Sequence, residues 1–111
     1  SVLRAKKAQD YPLVIKADTQ GSAEALAGAV AKIGSDQIRA KVLLAATGGI
    51  TESDVTLAEA SGAPVIGFGV RANAKAREIA QRDGVALKYY DVIYDLIEDV
   101  KAAMAGQLGP E

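Results

Sequence analysis

The sequence predicts an α/β fold: a three-layer α/β/α sandwich around a four-stranded parallel sheet. Three observations carry that prediction. Short apolar runs alternate strictly with segments of helical period, in the order strand, helix, repeated to the end of the chain. Glycine closes each helical segment, where a left-handed cap suits it. The runs LVIKA and PVIGF lack the polar alternation of a half-solvated strand, as expected of strands covered on both faces.

The first strand is expected over Leu13–Ala17, bounded by Pro12 and by the turn-forming DTQGS. A helix follows over Ser22–Ile33, with Ala25, Leu26, Ala29, Val30 and Ile33 on one stripe and Gly34 behind it. The second strand is read over Ile38–Ala46 and the second helix over Thr51–Ala60, closed by Ser61-Gly62. Pro64–Val70 is the third strand, Asn73–Asp83 the third helix, and Gly84 its stop. Ala86–Tyr90 and Asp91–Ala105 make the last strand and helix. Arg39 and Lys41 in the second strand, and Lys88 in the fourth, mark those two as edges, where charge discourages pairing with another chain. With right-handed crossovers the strand order is then 2-1-3-4. Residues 1–10 read as a linker or the remnant of a preceding segment, 11–108 as one domain and 109–111 as a tail.

Composition narrows the chemistry. The chain has 111 residues, half of them hydrophobic, and 13 basic against 14 acidic side chains give a net charge of −1. No global field draws it to nucleic acid or to an anionic membrane, so such a contact needs a local patch. There is no Cys and no His, which removes thiolate sites and the commonest general base and metal ligand. No apolar run reaches the ~18 residues of a membrane span, and a soluble, cytoplasmic protein without cofactor or metal is expected.

In a doubly wound sheet the ligand side is the carboxyl edge, at the loops Asp18–Ser22, Thr47–Ile50, Gly69–Arg71 and Asp91. Glycine ahead of a helix can cradle phosphate, yet neither GxxxxGK[ST] nor GxGxxG is present. The stretch TGGITESD reads better as architecture: Gly48 and Gly49 make the turn, and Thr51 with Asp54 matches a capping box. Gly21, Ser22, Asn73 and Asp91 are assigned to the same capping and turn duties. Asp18 occupies the place of an aspartyl nucleophile, but Gln20 stands where a second acid is needed, and Gly69-Val70-Arg71 where a receiver domain carries Asp. A turn role is preferred for it.

The third helix holds the local charge excess, Arg71, Lys75, Arg77 and Arg82 against Glu78 and Asp83. That is either a solvated face or a set of RNA phosphate contacts. The last helix places Val92, Ile93, Leu96, Ile97, Val100 and Met104 on one stripe, with Asp95, Glu98 and Asp99 opposite. Its first turns are expected to dock on the sheet, its Ala-rich end to fray beyond Ala102, and Gly106 with Pro110 to form a hinge.

Three blocks, LVIKADTQGSAEAL, GGITESDVTLAEASGAPVIGFGVRANAKAR and YYDVIYDLIEDVKAAMAG, resemble in order and spacing the third, α/β/α domain of bacterial translation initiation factor 2. The resemblance covers about Tyr11 to Leu108. The chain departs from the family at Ala45-Ala46-Thr47, where a Ser-Gly turn is frequent, and at Gly69, usually Asn. The resemblance implies a non-catalytic module of a multidomain GTPase, whose GTPase motifs and initiator-tRNA site lie in other domains. It implies a rigid spacer near the small ribosomal subunit, contacting the flanking domains of the same factor and monomeric in isolation. The alternative from another class is a stand-alone small-ligand or nucleotide-binding domain that uses the Gly-rich carboxyl edge.

Overall fold

The computed structural model describes residues 9–34 and 38–107. Elements run β1 (Gln9–Ala17), α1 (Gln20–Ala31), β2 (Ile38–Thr47), α2 (Glu52–Ser61), β3 (Val65–Phe68), α3 (Ala74–Asp83), β4 (Leu87–Tyr90) and α4 (Ile93–Gln107). Among the described residues the three strand-to-strand pairings of the sheet are parallel and the order is β2-β1-β3-β4, as the charges on the edge strands indicated.

β1 is longer than its apolar run, because Gln9–Leu13 pair only with β2, and β3 joins from Val14 onward. Gln9 and Asp10 therefore belong to the sheet rather than to a lead-in; residues 1–8 and the tail 109–111 lie outside the described residues. Pro12 fits in this central strand because, at its level, the β3 side is unpaired and a missing N–H leaves no gap in the ladder. The register with β2 slips between Leu13 and Val14. The slip turns both Leu43 and Leu44 toward one face of the sheet.

Alternation along β1 divides the core. Leu13, Ile15 and Ala17 face Ala23, Leu26 and Val30 of α1 and Leu96, Val100 and Met104 of α4. Val14 and Val65 face Val55 and Ala58 of α2 and Ala76 and Ala80 of α3, with Ile50 sealing the end. Small residues on α2 and α3 let those helices sit close to the sheet.

Gly62 and Gly84 cap α2 and α3 in the left-handed region, as read from sequence. Two cap assignments need correction. α1 starts at Gln20 with Thr19 as N-cap, whose Oγ1 accepts from the Ser22 N–H at 3.1 Å; Gly21 and Ser22 lie inside the first turn. α4 starts at Ile93, and the Val92 carbonyl accepts from the Leu96 N–H, so Asp91 stands one residue outside the cap. The later start also lifts Val92 and Ile93 clear of the sheet: they are exposed, not docked. At the other end Met104 is buried and α4 is helical to Gln107, the last described residue; the hinge expected of Gly106 with Pro110 lies partly outside the described residues.

α4 is also tied to β4, the Tyr90 hydroxyl donating to Asp99 Oδ2 at 2.7 Å. Burial first, and the Asp99 carboxylate second, raise the Tyr90 phenol above its ordinary range. A tyrosine with a raised folded value contributes stability below the unfolded value of ~10 and loses it as pH climbs through the folded value. Tyr90→Phe is expected to cost about 1 kcal/mol at neutral pH. It should also remove the last component to ionise in an ultraviolet titration of the phenols, leaving the smaller upward shift of Tyr11.

Candidate functional site

The carboxyl edge is built by four strand-to-helix loops. In the β2–α2 loop Gly48 takes φ 96°, a conformation that disfavours a side chain. Its N–H donates to the Ala17 carbonyl at 2.9 Å. The Ile50 N–H donates to the Arg71 carbonyl at 3.0 Å, and the Asn73 N–H returns to the Ile50 carbonyl at 3.2 Å. This bridge draws the β2–α2 and β3–α3 loops together, and a Cβ on Gly49 would meet the Arg71 carbonyl at 3.0 Å. Gly48 and Ile50 thus spend their amides inside the protein, where a phosphate cradle would turn them outward.

Thr51 and Asp54 form the capping box expected of them. Asp54 Oδ2 accepts the Thr51 N–H at 2.9 Å and its hydroxyl at 3.1 Å. The same oxygen receives Lys16 Nζ at 2.9 Å, and both side chains are buried. This ion pair links the centre of β1 to the start of α2. In the sequence Lys16 stands only as part of an apolar run. The available signal was its place in a two-face-buried strand, where a charged residue requires a partner. At that depth the pair is a structural tie, out of reach of a substrate.

The other caps also answer their own helices. Asn73 Oδ1 accepts the Ala76 N–H at 2.7 Å, as assigned. Gly69, at φ 72°, holds the left-handed region in which Asn is the next best tolerated residue, and its N–H donates to the Tyr90 carbonyl at 2.9 Å. A Cβ there would lie 3.1 Å from Asp18 Oδ2, so Asp18 packs against the turn. A hollow lined by Tyr11, Glu59, Pro64, Asp83 and Lys88 lies away from these loops, where the two glycine-capped helices end.

The basic residues occupy different settings. Arg71 lies over the Tyr89 ring, 5.2 Å from its centroid. Arg77 Nη1 donates to the Ala72 carbonyl at 2.9 Å, which gives it a part in holding the loop. Arg82 pairs with Asp83 at 3.0 Å. Lys75 and Arg82, seven residues apart, share one exposed face about 10 Å along the axis at ~1.5 Å per residue, with Glu78 between them. Among the described residues no group of acidic side chains is placed to hold a metal ion, and no helix is long and apolar enough to cross a membrane.

Comparison with known proteins agrees with this architecture. A family model described as translation-initiation factor 2 matches residues 1–101. Translation initiation factor IF-2 of Rhizorhabdus wittichii is 69% identical over 111 residues, covering 100% of this chain and 13% of that protein. Its counterpart in Zymomonas mobilis is 68% identical over 111 residues, again 100% of this chain and 11% of that protein. A crystal structure of GDP-bound aIF5B from Aeropyrum pernix superposes with TM-score 0.75 at 30% identity, over 96% of this chain and 18% of that one. The chain therefore spans about an eighth of the length of the bacterial relatives it matches. With the family model matching residues 1–101 and 69% identity to a relative along its whole length, the chain belongs to the translation-initiation factor 2 family.

Proposed function

We propose that this chain is a non-catalytic module of a longer initiation factor, acting in protein synthesis as a rigid spacer that meets the small ribosomal subunit. The observation that carries the reading is the closure of the carboxyl edge upon itself. Gly48 and Ile50 donate inward, and Thr19, Asp54 and Asn73 engage the backbone of their own helix starts. Glu52 adds negative charge at the α2 N-terminus, where an anion would otherwise sit, while the charge of Asp54 is met by Lys16. These features speak against a stand-alone nucleotide-binding domain. In the longer factor, guanine nucleotide and initiator tRNA would be held by other domains, and this one would set their separation.

Contact with ribosomal RNA would run through Arg71, Lys75 and Arg82, whose charges need only find phosphates. Arg77 is a lesser contributor, since part of its guanidinium serves the Ala72 carbonyl. Replacing Arg71, Lys75 and Arg82 with Gln should leave the fold intact, because all three are exposed. In the full-length factor the change should weaken small-subunit binding and flatten its log–log salt dependence by roughly 2. An unchanged slope would return α3 to the role of a solvated face.

A further inference from the structure

Arg71 is held differently from the other arginines near α3. Arg77 bonds the Ala72 carbonyl and Arg82 pairs with Asp83, whereas among the described residues Arg71 meets no carboxylate. Its guanidinium lies over the Tyr89 ring instead, 5.2 Å from the centroid, and both residues are exposed. The backbone beneath it is pinned, because the Arg71 carbonyl accepts the Ile50 N–H at 3.0 Å. Tyr89 is paired in register with Gly67 of β3, which sets no side chain beside the ring. A guanidinium resting flat on an aromatic ring leaves its N–H edge and its outer face unused. It is also ordered in advance, so a ligand meets less loss of side-chain freedom there.

The surrounding charges choose the ligand. Leu87 packs on the α2 and α3 side of the core and Tyr90 on the α1 and α4 side, so alternation along β4 puts Tyr89 on the α3 face and Lys88 on the other. On the α3 face Lys75 stands in the first turn, with Glu78 one turn on. Asp18 packs at Gly69, Asp91 and Asp95 are exposed beyond β4, and Glu98 is occupied with Lys101 at 3.8 Å. Cations and acids are thus nearly balanced, and the attraction left for phosphates is modest. A neutral base is indifferent to that balance. Unpaired RNA bases stack on aromatic rings and on arginine planes, whereas a base inside a duplex has both faces covered already. We propose that Arg71 and Tyr89 form a stacking site for one unpaired RNA base, which lies on the outer face of the guanidinium. The inference deepens the RNA contact proposed above and rests on it.

The test follows the Arg71 Nε–H and Tyr89 ring resonances of the 111-residue chain. The chain is titrated with hexaadenylate, with an abasic ribose-phosphate hexamer and with an RNA duplex of similar length. Both sets of resonances should shift upfield and saturate with hexaadenylate alone. Arg71→Lys keeps the charge and loses the plane, so it should weaken hexaadenylate binding about tenfold and leave the abasic hexamer unaffected. Tyr89→Leu, at an exposed position of an edge strand, should weaken it similarly. Equal shifts from the abasic hexamer or the duplex, or none from hexaadenylate, overturn the stacking site. Either variant binding hexaadenylate as well as the wild type overturns it too. The salt slope of the Arg71, Lys75 and Arg82 variant in the full-length factor reads the phosphate contacts separately. A flattened slope with no base-dependent shift would leave the ribosome-facing function standing without the stack.

Discussion

Asp54→Ala is expected to lower folding stability by about 3–5 kcal/mol, the range for removing one partner of a buried ion pair. The Lys16 and Asp54 side chains are only 9% and 6% exposed and meet at 2.9 Å. Without Asp54 the ammonium of Lys16 is stranded in the sheet, and Thr51 loses the acceptor for both its N–H and its hydroxyl. Lys16→Met should cost less, because Asp54 keeps both Thr51 donors and an unbranched apolar chain follows the path of the lysine stem. The double change should be more stable than Asp54→Ala alone. Denaturant melts with an unchanged m-value give the comparison directly. A loss below about 1 kcal/mol for Asp54→Ala would show that water reaches the pair, as at surface ion pairs.

This tie also shows where sequence reading stops. The strand order was legible because Arg39, Lys41 and Lys88 declare edges, and two apolar runs declare the centre. The capping box was legible because Thr51 and Asp54 are three residues apart. The counter-ion role of Asp54 was not, since Lys16 lies 38 positions away and chain spacing does not encode that contact. Thr19 and Ser22 can both cap, so the start of α1 was placed late; only the Thr19 Oγ1 bond decides it. For α4, periodicity identified the apolar stripe but not how far along the helix the sheet extends. Docking is therefore expected from the sequence at Val92 and Ile93, which are exposed, and fraying beyond Ala102, although Met104 on the same stripe is buried.

That shift along the helix sets the second large effect. Met104→Ala should cost about 2–5 kcal/mol, the range for truncating a buried long apolar side chain. Met104 is 2% exposed and joins Leu96 and Val100 in the cluster that also holds Leu26, Val30 and Ile38. The cost of ordering the last turns of α4 is thus offset by packing, although Ala102, Ala103 and Ala105 offer little themselves. Amide exchange should accordingly stay slow through Met104 in the wild-type chain and become fast from about Ala102 in Met104→Ala. Ala102→Gly is the control: it lies on the exposed side and should cost only about 1 kcal/mol through helix propensity. If Met104→Ala behaved like this control and the wild-type amides already exchanged early from Ala102, the end of α4 would be a frayed connector after all. The packed alternative carries a mechanical consequence. A displacement of the last described turn of α4 would reach the α1 side of the core through Met104.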